Sequence, residues 1–540
     1  MSQTAHIDTF AADHLPPAEL QPEYVFELPE LQFSERLNCA TELLDRHVAE
    51  GRGDRLCVQA DGVRWTYADL QEKANRIANV LTRRMGLVPG NRVLLCSPNN
   101  PMMVACWFGV IKAGGIAVAA MPLLRAKELS VFADIAQISL ALADEALQEE
   151  VLGAQAKSPT LQAVRFFNVK RGDAAASLEA LMAAESASFA NVDTAATDTC
   201  LLGFTSGTTG VPKATMHFHR DVMAICACWP RHVLCASADD VFMGSPPLAF
   251  TFGLGGQVLF PMAIGASMAL MEKAGPQQLV DGIERFGATV LFTAPTSYRV
   301  MAEQGARIRA TGLRKCVSAG EALTASTRAM WKDATGIEII DGIGSTEMLH
   351  IFISHREDEA RPGATGKAVP GYRAKVVDEQ GNEVPPNTVG KLAVQGPTGC
   401  RYLNDPRQRS YVQDGWNLTG DAYLMDADGY FVYQARTDDM IISAGYNIAA
   451  PEVEEALMQH ADVAECAVIG VPDTERGQIV KAFVVLHAGH AADEAKVKEL
   501  QDFVKRTVAP YKYPRAVEFV AQLPRTATGK LQRFRLHQPS

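Results

Sequence analysis

From about Thr66 to Leu270 the chain alternates segments that read as helices with short apolar segments that read as strands. No other feature restricts its fold as much. Residues 67–84 read as a helix, RVLLCS (92–97) as a strand, residues 101–111 as a helix and IAVAAM (116–121) as a strand. LALADEAL (140–147) and AVRFFNV (163–169) continue the rhythm. CLLGFTSGTTG (200–210), ATVLFTAP (288–295) and RKCVSAG (314–320) each run from a strand into a loop. Strands interleaved with helices argue an α/β fold of layers around mostly parallel sheets. In such sheets ligands sit off the carboxyl ends of strands, and the Gly/Ser/Thr-rich loops fall there.

The texture changes after about Gly366. YRAKVVDEQGNEVPPNTVGKLAVQG (372–396) and GYFVYQAR (429–436) are short alternating runs between Asp-Gly, Gly-Asn and Pro-Pro turns, as in a small antiparallel barrel or meander. After RTDDMI (436–441) the chain reads helix (452–459), strand (463–471), strand (480–486), helix (494–508) and strand (516–520). That block is long enough to fold alone. The expected division is therefore 1–437 for a large N-terminal domain and 438–540 for a small α+β domain. No internal repeat or low-complexity tract is visible.

Composition narrows the function. The 540 residues carry 51 Lys+Arg against 62 Asp+Glu, a formal charge of -11. A surplus of acid repels phosphate backbones and anionic lipid, so neither nucleic acid nor a membrane surface is an expected partner. A small anionic ligand in a polar pocket is compatible with it. The first 20 residues show no basic and apolar run of a secretory signal. The most apolar stretch, residues 102–124, is interrupted by Lys112, Gly114 and Gly115. Asn100 can cap a helix there with Pro101 in its first turn, and a helix followed by a buried strand explains the stretch better than a bilayer span. The 11 cysteines are scattered: Cys226 and Cys228 form a C-x-C with no second pair at zinc spacing, and the odd count argues against a disulfide framework. Reduced thiols and a cytoplasmic protein are expected, and the oligomeric state is left open between monomer and homodimer.

The sharpest local signal is FTSGTTGVPK (204–213). Its glycines let backbone amides turn toward a ligand, and its hydroxyls and Lys213 are donors for phosphate oxygens. It lacks the Gly-Lys-Ser/Thr ending of a Walker A loop. Four further motifs follow in order: DGIGSTE (341–347), NLTGD (417–421), RTDDMIISAGYNI (436–448) and PRTATGK (524–530). Together they resemble the adenylate-forming superfamily of acyl-CoA synthetases, luciferases and peptide-synthetase adenylation domains. The resemblance runs from about Thr66 to Arg533, nearly the whole chain.

That resemblance implies ATP, Mg²⁺ and the co-substrate CoA. A carboxylate is joined to AMP with loss of pyrophosphate, and a thiol then attacks the mixed anhydride. Cations and donors must neutralise the charge developing at the α-phosphate. By resemblance, Thr205, Ser206, Gly207, Thr208, Thr209 and Lys213 hold the outer phosphates. Gly320, Glu321, Asp341, Gly342 and Ile343 line the nucleotide, Thr346 contacts the α-phosphate, and Glu347 is the ligand of Mg²⁺, a hard cation suited to oxygen. Asp421 accepts from the ribose hydroxyls, and Arg436 donates to the ribose or a phosphate. Lys530 bridges the carboxylate and α-phosphate during adenylation. Asp438 matches the hinge about which the C-terminal domain turns between half-reactions. Gly445 and Tyr446 match the pantetheine tunnel.

Two departures narrow the substrate. Ile343 stands where many members carry a tyrosine against adenine. PLAFTFGLG (247–255) carries no carboxylate for an α-ammonium group, so free amino acids are poor candidates. DGIGSTEMLHIF (341–352) together with AFTFGLG (249–255) resembles the benzoate and 2-aminobenzoate CoA ligases. The implied ring pocket takes in Ala249, Phe250, Gly344 and His350, with Phe252 either lining it or part of the core. The expected activity is an AMP-forming aryl-CoA ligase for an aromatic carboxylate. Other carboxylates, such as salicylate or a medium-chain fatty acid, and a nucleotide-binding relative without turnover are the alternatives. His217, His219 and the Cys226/Cys228 pair read as structural.

Overall fold

The computed structural model describes residues 3–536 except 207–210, 437–439, 444–445, 474–475 and 526–530. Gly207, Thr208, Thr209, Asp438, Gly445 and Lys530, and the expected boundary at 437–439, therefore lie outside the described residues. Two compact units result: Met1–Ala374 with Val394–Asn417, and Lys375–Ala393 with Leu418–Ser540. Residues 418–436 thus pack with the C-terminal unit.

The first unit holds two large sheets. The six-stranded one runs in the order Ala163–Phe167, Leu140–Asp144, Arg92–Cys96, Ile116–Ala120, Thr199–Ser206, Pro212–Phe218. Its first five strands are parallel and the last is antiparallel. Two helices of this unit start where side chains supply caps. Thr66 and Asp69 close a capping box on helix Tyr67–Arg83. Asn100 accepts from the Met103 amide at 3.1 Å at the head of Pro101–Lys112. That helix and the strand Ile116–Ala120 account for the apolar stretch 102–124. No helix among the described residues is long and apolar enough to cross a membrane.

The nine-stranded sheet centres on the parallel strands Ser267–Ala269, Val241–Gly244, Val290–Thr293, Lys315–Ser318 and Ile339–Gly344. Helices Pro276–Phe286, Pro295–Met301 and Ala325–Thr335 bury a core against it that includes Leu291, Tyr298, Cys316, Trp331 and Ile339. The buried Tyr298 hydroxyl is shared between the Leu291 and Val317 carbonyls at 3.1 and 3.0 Å, so it is not left unsatisfied.

The change of texture after Gly366 is a sheet of five short strands between Arg373 and Arg436. In the second unit, Val463–Asp473 and Gly477–Leu486 form a long antiparallel pair, with Ala516–Phe519 added in parallel. Helices Ala450–Met458 and Glu494–Thr507 bury Val453, Leu457, Leu500 and Val504 against it. The hairpin Met440–Ser443/Tyr446–Ala449 completes the sheet, where the sequence pattern alone predicts no strand.

Candidate active site

The phosphate-loop motif is a hairpin: Thr205 lies opposite Lys213 in strands Thr199–Ser206 and Pro212–Phe218. The Lys213 ammonium is 3.2 Å from Oε1 of Glu347 and donates to the Tyr402 hydroxyl. That hydroxyl in turn donates to the same Oε1 at 2.6 Å. Burial, together with the Glu347 carboxylate, pushes the Tyr402 phenol far up, so it stays a donor. Both partners of Glu347 sit on Oε1, and Oε2 makes no hydrogen bond among the described residues. A cation and a phenol thus hold a nearly buried carboxylate beside the phosphate loop.

Thr346 is fixed through its backbone. His217 Nε2 donates to its carbonyl at 2.8 Å, and the Leu349 amide donates to the same oxygen at 3.1 Å. The threonine methyl packs on Gly203, where an added Cβ would come within 2.6 Å of it. Behind His217 lies Asp221, with Nδ1 and Oδ2 3.8 Å apart. Burial alone would raise the Asp221 carboxyl, but Arg401, bonded to it at 2.6 Å, and His217 outweigh this and hold it far below the usual range. Arg401 is fully buried, its guanidinium 3.8 Å from the Phe218 ring centroid and 4.6 Å from that of Tyr24. Arg401 and Asp221 thus form a buried ion pair next to His217, and it is the His217 Nε2 that holds the Thr346 carbonyl. Sequence patterns give no sign of Tyr402, His217, Asp221 and Arg401 as site residues; only tertiary contact reveals them.

At the next strand end, Asp341 is buried and its Oδ1 has no partner. Burial, opposed by Arg328, pushes its carboxyl up to about 7. Ile343 is half-buried beside it, Gly344 is exposed, and Gly342 packs so closely on Ile351 that a Cβ would come within 2.8 Å. Gly320 takes a left-handed φ of 86° at the end of the neighbouring strand, followed by the half-buried Glu321. A carboxyl whose folded pKa is raised adds stability only in acid, and that contribution is lost as pH rises from about 4 through about 7. Asp341→Asn is therefore expected to raise the melting temperature at about pH 8 and much less at about pH 5. Melting curves at the two pH values check this; an equal shift at both would contradict it.

His350 closes the apolar end. It is 2 % exposed, and neither ring nitrogen has a hydrogen-bond partner among the described residues. Its ring centroid lies 4.5 Å from that of Phe260 and 5.8 Å from those of Phe252 and Trp229. Burial pushes its pKa down to about 3, so the imidazole is neutral. The backbone makes room for it: a Cβ on Gly255 would come within 2.4 Å of the ring, and one on Gly344 within 2.6 Å of the His350 carbonyl. Leu349 accepts a φ of 70°, unusual for a branched residue, to turn the chain into this position. Of the two phenylalanines, Phe252 is the one against His350, while Phe250 is 37 % exposed and Ala249 half-buried.

In the second unit Asp421 and Arg436 face each other across a hairpin, with Arg436 donating to Asp421 at 2.8 Å and to the Thr419 carbonyl at 3.2 Å. Gly420, just before Asp421 in the strand Trp416–Met425, has a φ of 76°. Tyr446 begins the strand Tyr446–Ala449.

The sequence and the fold both match known proteins. The AMP-binding enzyme family matches residues 45–401, and its C-terminal domain matches residues 452–530. The chain is 37 % identical over 517 residues to the benzoate–CoA ligase of Thauera aromatica, covering 94 % of this chain and 97 % of that one. It is 32 % identical over 541 residues to the mitochondrial acyl-coenzyme A synthetase ACSM3 of Rattus norvegicus, covering 96 % and 92 %. The crystal structure of the anthranilate CoA ligase AuaEII in complex with anthranoyl-AMP superposes with a TM-score of 0.87 at 33 % identity, covering 94 % of this chain and 98 % of that one. That of a benzoate CoA ligase from Burkholderia xenovorans LB400 gives 0.84 at 33 %, covering 93 % and 100 %. With these motifs in one fold, the chain belongs to the AMP-binding enzyme family of the adenylate-forming superfamily and is an AMP-forming acid–CoA ligase.

Proposed function

We propose that the acid is aromatic, benzoate or 2-aminobenzoate, and that the enzyme makes its CoA thioester through the aryl-AMP. The observation that carries this reading is the neutral His350, buried with two unpartnered ring nitrogens among Phe252, Phe260 and Trp229. A planar ring finds aromatic walls there, and an imidazole with an open donor and an open acceptor suits a carboxylate or an ortho-amino group.

In the first half-reaction a carboxylate oxygen attacks the α-phosphorus of ATP and the bond to the bridging oxygen breaks, releasing pyrophosphate. Lys213, Thr205, Ser206 and the loop residues Gly207, Thr208 and Thr209 offset the outer phosphate charge. Thr346, held by His217, presents its hydroxyl to the α-phosphate. Glu347 would hold Mg²⁺ through its open Oε2, a hard donor that fits this ion; the ion would screen the phosphate charge during transfer. Asp341 receives the adenine amine on its unpartnered oxygen, beside Gly320, Glu321, Gly342 and Ile343. Asp421, oriented by Arg436, receives the ribose. Lys530 serves this step only. Rotation at Asp438 then withdraws it, and CoA enters past Gly445 and Tyr446. The thiol sulfur attacks the acyl carbon, its proton leaves to solvent, and AMP departs.

His350→Ala is expected to lower kcat/KM for 2-aminobenzoate more than for benzoate, by about tenfold if one hydrogen bond to the ortho group is lost. Thioester formation from the two acids measures it. Unchanged kinetics on both would leave His350 a core residue and remove the support for an aromatic acid. A linear acyl chain is the second reading, favoured by the near-equal similarity to the mitochondrial acyl-coenzyme A synthetase.

A further inference from the structure

Cys39, Cys200 and His219 come from segments far apart in sequence and meet inside the large unit. Their exposures are 0 %, 0 % and 1 %, and one donor atom from each lies within 4.8 Å of the other two. His219 is seated directly on Cys39. Its Nδ1 accepts from the Cys39 amide at 3.2 Å and lies 3.3 Å from the Cys39 sulfur. Two local features bring these groups together. Cys200 falls where the pairing of its strand slips, between Thr199 opposite Phe218 and Leu201 opposite His217. Such a bulge re-aims the side chain of the extra residue. His219 opens the helix His219–Ala227, whose first turn is closed by Asp221 on the Phe218 amide at 2.9 Å. The imidazole is fully inside the protein, and its second nitrogen, Nε2, has no partner. A residue that reads from sequence as structural thus lies in one buried cluster with two thiols.

We infer that Cys39, Cys200 and His219 form a binding site for one thiophilic cation with a filled d shell, of the zinc or cuprous class. Two sulfurs and one imidazole nitrogen are the donors such ions select over oxygen. The nitrogen nearest the Cys39 sulfur, at 3.3 Å, is Nδ1, so metal binding there would replace the hydrogen bond it accepts from the Cys39 amide. A Cys39–Cys200 disulfide would use the two sulfurs and leave the imidazole without a purpose; a metal uses all three. On binding Zn²⁺ each thiol gives up its proton to solvent, so two thiolates balance the double charge and a neutral cluster enters the core. With every donor buried, the ion is taken up as the chain folds. It would tie the N-terminal segment at Cys39 to the hairpin 199–218, which carries Lys213 at one end and His217 near the other. The role is structural, and separate from the cation that Glu347 would hold.

The full chain, unfolded and refolded with excess Zn²⁺ and then desalted without chelator, is expected to keep about one zinc per chain by elemental mass spectrometry. The Cys39→Ser/Cys200→Ser variant should keep less than about one-tenth of that. Because that variant is a core change and can fail to fold, a second measurement uses the unaltered chain. Refolded with Cd²⁺ alone, it should show a thiolate-to-cadmium charge-transfer band in the ultraviolet that saturates at about one equivalent. Any of three results would overturn the inference: no retained zinc together with no cadmium band, equal zinc in the folded variant, or a Cys39–Cys200 disulfide as the native state by non-reducing peptide mapping.

Discussion

Replacing Arg401 with methionine is expected to destabilise the large unit by about 3–5 kcal/mol, because it strands the Asp221 carboxylate without its counter-charge in a fully buried position. The cost arises mostly from the charge left behind. Removing both partners together, as Arg401→Met/Asp221→Leu, should therefore recover a large part of it. Urea unfolding of the two single variants and the double variant measures the coupling. A single variant within about 1 kcal/mol of the parent would mean that Arg220, 4.0 Å from Asp221, and the Phe218 amide suffice for the carboxylate and that Arg401 is not its necessary counter-charge.

Lys530→Ala is expected to cut aryl-AMP formation by about 10²–10³, the usual effect of losing a cation at developing charge. Thioester formation from supplied aryl-AMP should be nearly unchanged, because the proposed role ends when pyrophosphate leaves. Pyrophosphate release reads the first step and AMP release from the synthetic adenylate reads the second. Equal losses in both would remove the division of labour between half-reactions.

Much of the fold and part of the site are legible in the sequence, for physical reasons that can be named. Helical periodicity marks the covering helices because each must bury one face, and unbroken apolar runs mark parallel strands such as Ile116–Ala120 because every residue in them is buried. Thr66 and Asn100 mark helix starts because a side-chain oxygen there has amides to accept from. The Gly/Ser/Thr-rich hairpin, Glu347, Asp421 and Arg436 stand out as candidates because the proposed chemistry needs local runs of glycine, hydroxyl and charge. What stays hidden depends on contacts between distant parts of the chain. Asp221 and Arg401 are 180 residues apart, and Tyr402 reaches Glu347 across 55. Nothing in GCRYLN around Arg401 and Tyr402 announces either partner. Nor does a leucine announce a left-handed backbone, yet Leu349 adopts one just before His350. His217 reads as merely structural because its partner is a carbonyl, which has no sequence signature at all.

The central claim, an aromatic acid in the pocket around His350, is tested most directly by kcat/KM for CoA-thioester formation with benzoate, 2-aminobenzoate, acetate and decanoate on the unaltered enzyme. Acetate forgoes burial of the ring, whose apolar contact amounts to about 2 kcal/mol, so benzoate should lead it by about thirtyfold. One of the two aromatic acids is expected to rank first, with decanoate below both. Decanoate ahead of every aromatic acid would contradict the claim and favour the linear-acyl reading.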